Sequence, residues 1–167
     1  MSAIADLAAE FERETATTRK HLERLPSEHF DWRPHEKSFT AAALAGHIVD
    51  CIGLAGQILV HDELDIDPST YSRVTATTSV ELLAAFDEKV EAGRRALAAS
   101  TDSSIAEPWR FKVMGRQRFE RPKATVFRDF TLSHVIHHRG QFSVYLRLLN
   151  VPVPGSYGPT ADERPGA

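Results

Sequence analysis

The chain has 167 residues, of which 26% are charged, and its formal net charge is −3 at pH 7. This length suits one domain with its own core, and we expect residues 1–167 to form it. The slightly acidic balance and the scattered basic residues disfavour nucleic acids and anionic membrane surfaces as partners. We find no apolar run that approaches the roughly 20 residues needed to cross a bilayer, so we expect no membrane partner. Cys51 is the single cysteine, which favours a cytoplasmic location without disulfides.

Four segments show the three-and-four spacing of apolar residues that predicts amphipathic helices. Their expected bounds are Ser2 to Leu25, Ser38 to about Val60, Thr78 onward, and Pro122 to about Asn150. Serine and threonine are favoured N-caps, and Glu81, three residues after Thr78, completes the spacing of a capping box.

The segments between these helices are of two kinds. Residues 61–77 are polar and contain Pro68, which predicts a long connection, whereas 109–120 alternate around Met114-Gly115 and predict a short β-hairpin. Residues 151–167 form an irregular tail. The predicted fold class is therefore all-α, an up-down four-helix bundle with a long crossover between helices 2 and 3 and a small β-hairpin before helix 4.

Histidines interrupt the apolar stripes of the second and fourth helices. The stripe of the fourth helix comprises Phe127, Phe130, His134, His138, Gln141, Tyr145 and Leu148. In the second helix, the stripe comprises Leu44, His47, Cys51, Leu54 and Ile58. Side chains four residues apart project from one helix face, so the two helices would place three imidazoles in the same layer of the core.

Buried imidazoles need partners, because an unpaired polar group in an apolar interior is destabilising. A divalent metal would satisfy one nitrogen on each of His47, His134 and His138, and three histidines with an open position are typical of a catalytic site. The alternative is a hydrogen-bonded polar layer in which Gln141 and Asp50 are the partners.

Three stretches resemble one family. GHIVD at 46–50, HVIHHRGQFSVYLRLL at 134–149 and PGSYGPTADE at 154–163 are similar to sequences of the DinB/YfiT-like metal-dependent bundle proteins. The resemblance covers nearly the whole chain. It implies a helical bundle that is usually dimeric, with a three-histidine metal site to which His47, His134 and His138 correspond. The metal expected from family habit and availability is zinc or nickel.

The same resemblance implies a function. Better understood relatives are thiol S-transferases, so we expect the metal to bind a low-molecular-weight thiol as thiolate and a small-molecule electrophile to be attacked. A metal-dependent hydrolase of a small amide or ester, with Asp50 or a tail acid as base, is the second hypothesis. A non-catalytic bundle with a structural metal is the third.

Several further residues are candidates for substrate binding or for support of the ligands. They are Gln141, Asp50, His137, Arg139 and Tyr157. An ordinary ion pair is the favoured interpretation of Arg139. Cys51 lies one turn after His47, and a small buried hydrophobe is favoured over a fourth metal ligand.

Overall fold

The computed structural model describes residues 2–163, which are mostly helical with one small sheet. The elements are α1 (Ala3–Leu22), a 3₁₀ turn (Ser27–His29), α2 (Ala41–Val60), β1 (Glu63–Ile66), α3 (Ser79–Ala99), α4 (Asp102–Ala106), β2 (Pro108–Val113), β3 (Arg116–Pro122), α5 (Lys123–Val126), a π-helical stretch (Phe127–Ser133) and α6 (His134–Leu148). The last three follow one another directly, and we call residues 123–148 the terminal helix. Residues 164–167 of the predicted tail lie outside the described part.

Hydroxyl side chains begin three of the long helices. Ser2 and Thr78 are the N-caps that the sequence predicted, and their hydroxyl groups accept the backbone N–H groups of Ala5 and Glu81. The second helix begins later than predicted, because Thr40 and not Ser38 is its N-cap. Glu81 accepts from the backbone of the residue before Thr78, so only half of the predicted capping box forms.

The long helices pack side by side with α2 in the middle, where it contacts α3 and the terminal helix. Contacts that fix the direction of α3 pair Gly53 with Lys89 and Ala55 with Gly93. These pairs show that α2 and α3 run in the same direction, so a simple alternating up-down order is wrong for them. The connection 61–78 returns the chain along α2 and makes the parallel arrangement possible.

The second helix is the most apolar element of the chain. It spans 20 residues with a mean hydropathy of 1.7, so the expectation that no run is long and apolar enough to cross a bilayer is wrong. Half of the stretch is buried, and α2 packs against α3, the terminal helix and β1. These contacts are those of a helix in the core of a folded domain.

A three-stranded sheet in the order β1-β2-β3 packs beside α2. Strands β2 and β3 form the predicted hairpin, whose turn has positive φ at Met114 (51°) and Gly115 (74°). Strand β1 lies in the segment predicted to be a connection and pairs in parallel with β2. It was missed because ELDI is short and half acidic, and Glu63 and Asp65 are explained only by their contacts with the hairpin.

The terminal helix changes from an α-helix to a π-helix and back along its length. From Phe127 to Ser133 it is π-helical, with one residue more per hydrogen-bonded turn than an α-helix. The buried face of α6 therefore differs from the predicted stripe and comprises Val135, His138, Arg139, Phe142, Tyr145 and Leu146. Gln141 and Leu148, both predicted to be buried, are exposed.

Candidate metal centre

Three imidazoles meet between α2 and the terminal helix. The ring centroid of His47 lies 5.1 Å from that of His134 and 4.6 Å from that of His138, and the two rings of α6 are 4.7 Å apart. The sequence-based inference that two helices place these side chains in one layer agrees with this geometry. His138 is buried, while His47 and His134 are half-buried and open toward the neighbouring cavity.

The imidazoles are uncharged at neutral pH. Burial, together with the repulsion that protonated rings at His138 and His134 would exert, lowers the pKa of His47 to about 4. Burial also lowers the pKa of His134, and His138 shifts in the same direction, although its hydrogen bond to Gln141 opposes this. Since only the neutral ring has a lone pair for a metal, the site is prepared for an ion without having to lose protons.

Cys51 adds a thiol to the cluster. Its Sγ lies 3.9 Å from Nε2 of His47, and one donor atom from each of His47, Cys51 and His134 lies within 4.8 Å of the others. Donor atoms around a tetrahedral zinc ion, at about 2.0–2.3 Å from it, are roughly 3.3–3.7 Å apart. Side-chain adjustments of about 1 Å would close the group around an ion, so these residues could hold one.

The state of the Cys51 thiol depends on the ion. Burial, reinforced by Asp50, raises the pKa of Cys51 to about 12, which keeps the free thiol protonated. A bound cation would reverse this, because a coordinating thiol loses its proton. The position of Cys51 one turn after His47 was the signal for this donor in the sequence, where packing was the favoured interpretation.

Gln141 orients His138. Nδ1–H of His138 donates to Oε1 of Gln141 at 2.8 Å, which leaves Nε2 of the ring unprotonated. The amide of Gln141 in turn donates to Nε2 of His137 at 3.1 Å. Hydrogen bonds of this kind fix the tautomer and direction of metal-binding histidines. His137 itself is exposed, with its ring centroid 4.9 Å from that of His138.

Asp50 anchors the connection that closes one side of the site. Its Oδ1 accepts the backbone N–H of Val74 at 3.1 Å, while Oδ2 is buried without a partner among the described residues. Burial raises the pKa of this carboxyl group. Gly46 allows the close approach, because a Cβ there would lie 2.4 Å from the carbonyl oxygen of Val74.

Two openings of different character flank the imidazoles. A cavity of about 220 Å³, which includes His47 and His134, is lined mainly by apolar side chains of α2, the sheet and the terminal helix. A more open groove of about 460 Å³ includes His138 and Gln141 together with Lys37 and Ser38. The cluster therefore borders two separate openings.

Arg139 and Tyr157 form a separate cluster with α1. Arg139 is 1% exposed and pairs with the buried carboxylate of Glu14 at 2.8 Å. The hydroxyl of Tyr157 accepts from Arg139 and donates to Glu14, both at 3.0 Å. The predicted ion pair is present, and the tail packs on α1. Among the described residues, these contacts join both side chains to α1, and no hydrogen bond joins either of them to the three imidazoles.

The model of the DinB family matches residues 1–165. The chain belongs to the DinB family. It is 27% identical over 154 residues to the protein YrdA of Bacillus subtilis strain 168, an alignment that covers 92% of this chain and 87% of YrdA.

Solved structures of DinB-like proteins share the fold. One from Bacillus cereus ATCC 10987 superposes with a TM-score of 0.72 at 22% identity, covering 90% of this chain and 95% of the other. YjoA of Bacillus subtilis gives 0.70 at 18% identity, covering 90% and 97%. The family resemblance inferred from the sequence is thus confirmed.

Proposed function

We propose that this member of the DinB family is a metal-dependent thiol S-transferase, in which His47, His134 and His138 hold a zinc or nickel ion. The observation that supports the proposal best is the cluster of three uncharged imidazoles, which borders two separate openings. A closed structural site would need no such space, whereas a transferase must admit two small molecules.

When bound there, a divalent metal would supply the positive charge that stabilises a small thiol as its thiolate. The protein's own contribution is positional. Gln141 holds His138 in the tautomer whose Nε2 is unprotonated, and the apolar wall of the cavity would keep water from an electrophile beside His134. Asp50 acts indirectly, because it fixes the connection at Val74.

The role of Cys51 decides between an open and a closed centre. If the thiol joined all three histidines, four protein donors would complete a tetrahedral shell, as in structural zinc sites. We propose that Cys51 stays protonated and packs in the core, leaving a coordination position for the thiol substrate. Cobalt substitution distinguishes these states, because a Cys51 ligand would give a thiolate charge-transfer band before any thiol is added, and Cys51→Ala would remove it.

Metal content tests the ligands. Protein purified without a histidine tag should contain one divalent ion per chain, and His47→Ala, His134→Ala and His138→Ala should each lose it. His137→Ala is the matched control, because this exposed imidazole is on the same helix and should leave most of the metal bound. Equal metal content in all four variants would refute the ligand set.

Spectroscopy tests the chemistry. Adding a small thiol to the cobalt-substituted protein should produce a charge-transfer band, and azide should shift the ligand-field bands. If neither the thiol nor azide changed the spectrum at millimolar concentrations, we would abandon the enzyme proposal and conclude that the metal is structural. Conjugation of the thiol to an electrophile, followed by loss of free thiol, then tests the transferase reaction itself.

One observation favours the hydrolase alternative. Asp50 has a carboxylate oxygen without a hydrogen-bond partner among the described residues and a raised pKa, two properties of a general base. Hydrolysis of a small ester that Asp50→Asn abolishes, while metal content stays constant, would support this function.

We also propose that the four long helices constitute a bundle and that the protein is a cytoplasmic homodimer. The resemblance to a family whose members are usually dimeric supports the dimer. A monomeric mass by light scattering at micromolar concentration would contradict the dimer.

A further inference from the structure

We infer that the 220 Å³ cavity beside His47 and His134 binds a neutral aromatic molecule of one ring with small substituents, and that this is the class of electrophile that the protein accepts. The second half of the inference rests on the proposed function, whereas the first half concerns binding alone.

The lining of the cavity determines the polarity of the ligand. Most of its wall is aliphatic and aromatic, comprising Leu54, Ile58, Leu64, Ile66, Trp109, Phe111 and Phe130, while the polar side chains of Asp50, Tyr71 and Arg73 also border it. A charged group placed against the apolar part of the wall would lose its hydration without gaining a partner there. The ligand is therefore neutral where it contacts this wall.

The shape of one wall favours a flat ring. The rings of Trp109 and Phe111 are nearly parallel, with an interplanar angle of 9°, and their centroids are 6.4 Å apart. Phe130 follows at 6.3 Å from Phe111. Aromatic groups pack favourably against such rings in offset or edge-to-face arrangements, which adds to the burial of apolar area.

The volume sets an upper limit on size. A buried apolar cavity of about 150 Å³ is sufficient to bind benzene. The 220 Å³ measured here exceeds that by the space of a few more heavy atoms, which suits a ring with a small reactive substituent. A long acyl chain or a nucleotide would not fit.

The position of the cavity beside the histidines suits it to bind the electrophile. It includes the imidazoles of His47 and His134, so a ligand that fills it ends against the candidate metal. The groove on the other side includes Lys37 and Gln141, which suit a charged thiol with polar substituents. The two openings would then bring the two reactants together at the ion, where transfer requires their reacting atoms to lie about 3–3.5 Å apart.

Binding can be measured without any reaction. Nitroaromatic compounds quench tryptophan, and Trp109 lines the cavity. We would titrate 4-nitrobenzyl alcohol into the full chain carrying Trp32→Phe, in its metal-free and metal-loaded forms. In this variant Trp109 is the only tryptophan. Saturable quenching is expected with both forms, and 4-nitrobenzenesulfonate, which has the same ring with a charge, should bind much more weakly.

A pair of matched variants locates the ligand. Leu64→Phe adds a ring to the half-buried wall on β1 and should raise the Kd at least about tenfold. Val144→Phe adds the same ring to the groove and should leave the Kd unchanged. Unchanged metal content and far-ultraviolet circular dichroism would show that both variants fold.

The outcomes separate the two proposals. Equal quenching by the neutral and the charged compound, or equal Kd values for the two variants, would overturn the cavity assignment even if thiol transfer were found. Specific binding that Leu64→Phe abolishes would establish the cavity as an aromatic site even if no thiol were transferred. Transfer of the thiol to 4-nitrobenzyl chloride with release of chloride, and a KM for 4-nitrobenzyl chloride that Leu64→Phe raises, would support both.

Discussion

The buried ion pair between Glu14 and Arg139 allows a quantitative test of what this arginine does. Arg139 is 1% exposed and Glu14 6%, and the guanidinium also donates to Thr18 at 3.1 Å. Breaking a buried pair by removing one partner costs about 3–5 kcal/mol, because the other charge stays in the interior. We therefore expect Arg139→Met and Glu14→Leu each to lower the free energy of unfolding by this amount.

The double variant should behave differently. With both charges replaced by apolar groups of similar volume, no desolvated charge remains, and the loss should fall below about 2 kcal/mol. The coupling energy in the cycle should then be at least about 4 kcal/mol, well above the error of additivity for independent sites.

Urea denaturation measures each corner of the cycle, and thermal melting should show the single variants about 6–12 °C below the parent for a loss near 3 kcal/mol. Metal content serves as the second measurement. It should stay constant, because Arg139 contacts α1 and Tyr157 and not the imidazoles. If the stability loss of the double variant equalled the sum of the two single losses, the buried-pair account would be refuted. If Arg139→Met lost its metal, we would conclude that Arg139 supports the metal centre after all.

Three further results are expected. Gly46→Ala should cost about 1–3 kcal/mol, because its Cβ would meet the carbonyl oxygen of Val74 at 2.4 Å, whereas Gly56→Ala, with nothing within 4 Å, should be neutral or stabilising in the same urea assay. Thr78→Ala should lower the stability by about 1 kcal/mol through loss of the α3 cap, with denaturation midpoints as the measure. The pKa of His47 is about 4 in the folded metal-free protein and about 6.5 in the unfolded chain. As the pH falls below about 6.5, the unfolded chain therefore binds a proton at this residue before the folded protein does. Stability should thus be greatest above that pH and fall toward pH 4, and His47→Gln should flatten the decline.

The sequence predicted the four long helices and the hairpin because their signals are local. Periodic apolar residues, hydroxyl caps and the turn at Met114-Gly115 each act within a few residues. The direction of α3 could not be predicted in this way, since it depends on how the connection 61–78 packs along α2. Strand β1 was missed for the same reason, because its acidic residues bind only after the hairpin is in place.

The histidines were found because a polar residue at a buried position of a helix is conspicuous in the sequence. Gln141 and Leu148 were placed in the core incorrectly, because the stripe was counted with an α-helical period through a stretch that is π-helical. Nothing in the composition of FRDFTLS signals this change of period. For Arg139 the sequence left substrate binding and an ion pair open and favoured the ion pair, but it could not name Glu14 as the partner, 125 residues away.

The contact between Tyr157 and Glu14 also has a consequence for biosynthesis. The two residues are 143 positions apart, and translation proceeds at about 5–20 residues per second, so roughly 7–30 s separate their synthesis. Throughout that interval the first helix has a carboxylate, rather than an apolar side chain, in the middle of its future buried face, together with Thr15 and Thr18. We expect a nascent helix with a charged side chain at this position to associate less readily than one with an apolar side chain there, until Arg139 and Tyr157 have been synthesised.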